Sequence, residues 1–219
     1  MDKKPIVNAP NILTLIRLIL VPVVICLILV SYYAEMQDSN SLNWQWTLGT
    51  FGKYQYKLPI LWMAAGIVFI LASLTDFLDG YLARRNNQVT DFGKFFDPIA
   101  DKLLVNSALI LLAVAGIIPL WMVLILILRD TIVDFIRMIL SSKQITLAAG
   151  MGGKLKTLFQ MVGLSLLFFV NFKFFASVEF SATEYGWINQ VIMIPMYIAT
   201  FFSIYSGTVY FCNARKNLF

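Results

Sequence analysis

With 219 residues, 59% of them hydrophobic and 13% charged, the chain is too apolar for an ordinary soluble domain and belongs in a bilayer. A net charge of +5 is thinly spread through apolar sequence, and no nucleic-acid partner is expected. There is no histidine, the commonest general base and metal ligand, so any chemistry must run on carboxylates, lysines, arginines or hydroxyls.

Crossing a hydrocarbon core of roughly 30 Å takes about 20 predominantly apolar residues. Six stretches qualify: 12–33, 58–83, 98–118, 119–140, 155–176 and 187–211. The first follows Lys3 and Lys4 but is too long for a signal peptide and lacks a small-residue cleavage site, so it reads as a retained helix. The connection from Ala34 to Lys57 reads as a loop whose Trp44, Trp46, Tyr54 and Tyr56 are interfacial aromatics. Gly116 and Pro119 leave room for only a tight turn between the third and fourth spans, and Gly150, Gly152 and Gly153 lead flexibly into Lys154 and Lys156. Cys26 and Cys212 fall inside apolar spans and read as small buried hydrophobes.

Cytoplasmic flanks of membrane spans carry an excess of Lys and Arg. Six spans put both termini on one side. With the N-terminus inside, that side receives Lys3, Lys4, Arg17, Arg84, Arg85, Lys94, Lys102, Arg137, Lys143, Lys154, Lys156, Arg215 and Lys216, against Lys53, Lys57 and Lys173 outside. The expected architecture is one all-α integral membrane domain over 1–219, a multi-pass protein of six transmembrane helices, N-in and C-in.

Acidic residues crowd into residues 75–104, TDFLDGYLARRNNQVTDFGKFFDPIADKLL, at a density found nowhere else in the chain. Asp76 and Asp79 are three apart and Asp97 and Asp101 four apart, so each pair shares a helical face. Two antiparallel helices would bring the pairs together at one end of the bundle. At about 1.5 Å per residue from Leu58, Asp76 lies about 27 Å along, near the inner edge of the hydrocarbon. Four carboxylates there repel one another unless some are protonated or cations neutralise them. Two Mg²⁺ or Mn²⁺ ions balance four negative charges, and all-oxygen ligands suit these metals. Small residues at Gly80 and Ala83 would let a flat ligand approach the helix.

The segment reads Asp76-x-x-Asp79-Gly80-x-x-Ala83-Arg84, then eight residues, then Gly93-x-x-x-Asp97-x-x-x-Asp101. It resembles the defining motif of the CDP-alcohol phosphotransferases at every fixed position, and the six-span layout extends the resemblance over nearly the whole chain. The resemblance implies that Asp76, Asp79, Asp97 and Asp101 hold two divalent cations against the CDP pyrophosphate, that Asp101 is the general base, and that Gly80, Ala83, Arg84 and Gly93 shape the nucleotide pocket. It places the active site at the cytoplasmic ends of the second and third helices, and implies a membrane homodimer. The absence of histidine agrees with direct in-line attack rather than a covalent relay.

Arg129 falls about ten residues into the fourth span, near the bilayer midplane, where a guanidinium must face a polar interior. Asp130, Asp134 and Arg137 share much of one face, which fits either a structural ion-pair network or an anion-binding site. In the second reading Arg129, Arg137, Lys154 and Lys156 bind an anionic group on the acceptor. Pro10-Asn11-x-Leu13-Thr14-x-x-Arg17, Asp97-Pro98-x-Ala100-Asp101-Lys102-Leu103 and Gly153-Lys154-x-Lys156-Thr157 resemble a bacterial branch of the family. Its donor is CDP-diacylglycerol and its acceptor glycerol 3-phosphate, which makes those four residues candidates for the acceptor phosphate, with Thr14 and Arg17 lining the site. Asp130 is a departure, since the branch carries Glu there. Alternatives are the same transfer to inositol phosphate or serine, and a cation transporter. Against the transporter, the aspartates gather at helix ends rather than the midplane, and no inverted repeat is visible.

Overall fold

The computed structural model describes residues 9–36, 45–51, 54–85, 91–145, 150–176 and 187–218, with side chains described over 12–36, 45–47, 56–75, 96–145, 150–171, 173–174 and 189–215. Among these residues there are seven α-helices: α1 (Ala9–Met36), α2 (Ile60–Arg85), α3 (Asp91–Val114), α4 (Leu120–Ser142), α5 (Met151–Phe169), α6 (Trp187–Ile192) and α7 (Ile194–Leu218). Each apolar stretch of the sequence falls mainly on helix; 98–118 leaves it after Val114, and three others depart as follows. The stretch 58–83 begins in a strand and turns helical at Ile60. The stretch 155–176 leaves the helix after Phe169 and closes with a 3₁₀ turn at Phe172–Phe174. The last is two helices, interrupted at Met193 ahead of Pro195, whose missing N–H and fixed φ favour a helix start.

The fold is not wholly helical. Strands β1 (Gln45–Phe51), β2 (Tyr54–Pro59) and β3 (Phe175–Ala176) form one antiparallel sheet in the order β1-β2-β3. Much of the expected loop between the first two spans is therefore a hairpin. Gln45 pairs with Pro59 and Thr47 with Lys57, and a register shift follows between Thr47 and Gly49. Tyr56 and Phe175 pair across β2 and β3. Trp46 is 60% exposed, as an interfacial aromatic should be, but Tyr56 is 8% exposed and burial pushes its phenol above the ordinary tyrosine range. Trp44 lies outside the described residues.

The chain divides into two compact units, Met1–Leu111 with Lys173–Val178, and Leu112–Phe172 with Glu179–Phe219. In the first, α1 packs along α2. Val21, Val24 and Ile28 are buried on α1, and Trp62, Ala65, Phe69 and Ala72 on α2, at the three- and four-residue spacing of a helix face. In the second, α7 packs on both α4 and α5. Gly163 of α5 makes this approach close, since a Cβ there would lie 2.7 Å from the Met196 sulfur. The turn into α4 is as tight as its Gly and Pro suggest. Gly116 takes φ +70°, a left-handed conformation that glycine adopts without a Cβ clash, and its N–H donates to Ala113 O at 2.9 Å.

Large apolar side chains point outward throughout. On α4, Leu120, Leu124, Leu128, Ile132, Phe135 and Met138 are each about half exposed or more and form one stripe, while Met122, Val123, Leu126, Val133, Ile136 and Leu140 are buried. Cys26 and Cys212 are exposed rather than buried, which places them on outward faces of α1 and α7. Among the described residues, Ile12–Met36 alone meets the length and composition of a membrane-crossing helix, with a mean hydropathy of 3.0. α4 and α5 carry Arg129, Asp130, Asp134, Arg137, Lys154 and Lys156 within their apolar sequence.

Candidate active site

In the first unit, α1, α2 and α3 bring sequence-predicted residues together. Asp97 and Asp101 lie one turn apart on α3, both partly exposed, with Ala100 and Leu104 buried beside them. Thr14, 2% exposed on α1, donates its hydroxyl hydrogen to Asp97 Oδ1 at 2.5 Å. A carboxylate fixed through one oxygen keeps its other oxygen for a further partner. Pro98 sits in the same turn and withholds a backbone N–H from the helix ladder. Arg17 is completely buried, and its Nε donates to the carbonyl of Ala72 at 3.2 Å. That bond fastens α1 to α2 four residues ahead of Asp76.

Asp76, Asp79, Gly80, Ala83 and Arg84 occupy the last turns of α2, and Gly93 the first turn of α3, as their spacing required. Their side chains lie outside the described residues. The described side chains include no group of three or more acidic, cysteine or histidine residues able to hold a metal. Of the four motif aspartates they include Asp97 and Asp101, which offer hard oxygen donors at helical spacing, a fit to Mg²⁺ or Mn²⁺.

In the second unit the basic residues separate into two kinds. Arg129 spends its guanidinium on the protein: Nε donates to Ser203 O at 3.0 Å, Nη1 to Asp130 Oδ1 at 3.0 Å and Nη2 to Ser206 Oγ at 2.7 Å. Lys156, 5% exposed, donates to the other oxygen of Asp130, so a single carboxylate joins α4 to α5 while Arg129 joins α4 to α7. Gly207 makes room, for a Cβ there would meet Arg129 Cγ at 3.0 Å. The network-forming alternative weighed for Arg129 is thus what the side chains display. Arg137 is different. Its side chain is 55% exposed and pairs loosely with Asp134, at 3.8 Å. Lys154 is exposed at the start of α5.

Three contributors in α7, Ser203, Ser206 and Gly207, were not anticipated. The signal was available in Ser203-Ile-Tyr-Ser206-Gly207, a small and polar run inside an apolar helix, which in membrane bundles marks a close helix contact or a buried polar partner. Gln160, one turn beyond Lys156 and 2% exposed, extends the polar face of α5. Among the described residues its Nε2 and the Ser203 hydroxyl find no hydrogen-bond partner.

The profile of the CDP-alcohol phosphatidyltransferase family matches residues 7–205. The CDP-diacylglycerol--glycerol-3-phosphate 3-phosphatidyltransferase of Bacillus subtilis (strain 168) is 36% identical over 204 residues, covering 93% of this chain and 93% of its own. A protein of the same name from Mycoplasma pneumoniae is 33% identical, over 95% of this chain and 88% of its own. A probable phosphatidylglycerophosphate synthase of Mycobacterium tuberculosis is 30% identical, over 97% and 84%.

Proposed function

The chain belongs to the CDP-alcohol phosphatidyltransferase family, and we propose that it transfers the phosphatidyl group of CDP-diacylglycerol to glycerol 3-phosphate, releasing CMP. The observation that carries this reading is the coincidence of the family match with the eight-position motif, which falls on the end of α2 and the start of α3. A hydroxyl oxygen of glycerol 3-phosphate attacks the phosphorus that bears the diacylglycerol. A new P–O bond forms, the P–O bond to CMP breaks, and the hydroxyl proton passes to a carboxylate.

We assign that carboxylate to Asp101. Asp76, Asp79, Asp97 and Asp101 would hold two divalent cations, Mg²⁺ or Mn²⁺. Bound there, the ions supply neutralising charge to the pyrophosphate and polarise the phosphorus under attack. Thr14 orients Asp97, and the bond from Arg17 to Ala72 fixes the approach of α1 to α2. Gly80, Ala83, Arg84 and Gly93 shape the nucleotide pocket. For the acceptor phosphate, exposure favours Arg137 and Lys154 as direct contacts, with Arg129 and Lys156 holding α4, α5 and α7 in register through Asp130. Replacing Arg137 or Lys154 by Gln is expected to raise KM for glycerol 3-phosphate about tenfold with little effect on thermal stability.

The outward apolar stripes support a cell-membrane location, where lipid replaces water around the helices. We propose six crossings by α1 to α5 and α7, both termini cytoplasmic, in a single polytopic domain that assembles as a homodimer. The deciding assay is CMP release by purified protein in detergent with CDP-diacylglycerol and Mg²⁺, comparing glycerol 3-phosphate, inositol phosphate and serine. Chelator-sensitive release with glycerol 3-phosphate alone is expected. Release with another acceptor moves the substrate, and none with any acceptor removes the transferase reading. Asp101→Asn should abolish turnover while retaining CDP-lipid binding, and an active Asp101→Asn enzyme overturns the base assignment.

A further inference from the structure

A second charged site lies at the far end of α1 from Thr14 and Arg17. Glu35 in the last turn of α1, Gln45 at the start of β1, Lys57 and Pro59 on β2, and Lys173 and Phe174 of the 3₁₀ turn line a pocket of about 160 Å³. At roughly 30 Å³ per water that is room for about five waters, the scale of a phosphate with a short alcohol attached. Strand pairing builds it. The register of Gln55 with Ala176 and Tyr56 with Phe175 carries Lys173 to Lys57 from a distant part of the sequence. Two of the three basic residues expected on the outer side thereby converge on one pocket, whose lining among the described residues includes both lysines and Glu35.

One wall is Phe174, backed by buried rings. Phe174 meets Tyr56 and Trp62 edge to face, each at a centroid distance of 6.0 Å, and all three rings are buried. Trp46 and Tyr33 nearby are exposed. Depth agrees with this composition. From Ile12 to Glu35 the helix rises about 35 Å at 1.5 Å per residue, just past a hydrocarbon core of roughly 30 Å. A lysine-bearing pocket with Phe174 in its wall at that level lies where phospholipid headgroups lie.

We propose that this pocket binds the headgroup of an anionic phospholipid from the outer leaflet. Lys57 and Lys173 hold the phosphate as point charges, and Glu35 and Gln45 accept hydrogen bonds from headgroup hydroxyls. The acyl chains run down α1 past the exposed Tyr33 and Val30. The inference rests on the membrane reading of α1 and is independent of phosphatidyl transfer, since the pocket contains none of the residues assigned to that reaction.

The test is native mass spectrometry of the full chain in detergent, with phosphatidylglycerol and phosphatidylcholine of matched acyl chains and with inorganic phosphate as competitor. Wild type should retain phosphatidylglycerol preferentially, and millimolar phosphate should leave it bound. Lys57→Gln with Lys173→Gln should lower retention about tenfold, while Lys57→Arg with Lys173→Arg keeps it. If the double Gln variant does not fold, Lys57→Gln alone is expected to lower retention severalfold. Equal retention of the two lipids, or undiminished retention in the Gln variants, overturns the proposal. Displacement by inorganic phosphate also overturns it, because the ligand would then be a soluble anion. Binding is read without turnover, so a protein that binds the lipid but releases no CMP loses the transferase reading alone.

Discussion

Replacing Thr14 by Val removes the hydroxyl that donates to Asp97 and leaves a partly exposed carboxylate free to turn. The expected cost is about 1 kcal/mol of stability, with a severalfold rise in the Mg²⁺ needed for half-maximal CMP release, and Thr14→Ser should restore both. An unchanged metal requirement in Thr14→Val would separate Thr14 from the site. Asp130→Asn tests the other cluster. It removes the Asp130 charge that Lys156, 5% exposed, is paired with, and thermal unfolding in detergent should register about 2 kcal/mol or more, short of the roughly 3–5 kcal/mol of a fully buried pair because Asp130 remains 25% exposed. At this scale the sequence announced the charged residues clearly, because each is expensive in an apolar helix. It did not announce which carboxylate each cation would choose. Asp130 and Asp134 are equally plausible partners by spacing, and only the approach of α5 decides that Lys156 reaches Asp130.

Between elements, α5 and α7 approach closely where the position of a Cβ on Gly163 lies 2.7 Å from Met196 Sδ and 2.9 Å from its Cγ. Gly163→Val should therefore cost about 1–3 kcal/mol. Gly153→Ala, with nothing within 4 Å, should instead stabilise α5 by a few tenths of a kcal/mol, to about 1 at most. Equal effects of the two, measured by thermal unfolding, would show that close packing of these helices matters little. The helices were legible because apolar runs of this length have few other solutions in lipid. The hairpin was not. Gln45–Phe51 and Tyr54–Pro59 alternate poorly and carry polar residues in both phases, and β3 is only two residues long, so their pairing depends on Phe174 packing against Tyr56 and Trp62. The interruption at Met193 had a visible cause in Pro195, masked by the apolar residues on either side.

For the whole molecule, the proposed orientation can be checked in cells. In a variant lacking Cys26 and Cys212, a single cysteine at Lys53 should react with a membrane-impermeant thiol reagent on intact cells, and one at Lys143 only after permeabilisation. The reverse pattern would invert the topology. The carboxylate motif was complete in the sequence because its spacing is local, within two neighbouring helices. The link from Thr14 to Asp97 was not anticipated, Thr14 being expected at the acceptor site and Asp97 among the metal ligands, since residues distant in sequence meet through packing that no local pattern encodes. The buried Arg17 also bears on how the chain is made. Its bond to Ala72 joins residues 55 apart, and a ribosome adding roughly 5–20 residues per second needs about 3–11 s to supply that carbonyl. On the proposed topology α1 is made before its acceptor on α2 exists, and a long arginine near the start of the helix can reach back to the headgroups. Membrane insertion of the first helix is then completed only by the second, so a ribosome stalled before residue 72 should leave a first helix that is more easily extracted from the membrane than the same helix followed by α2.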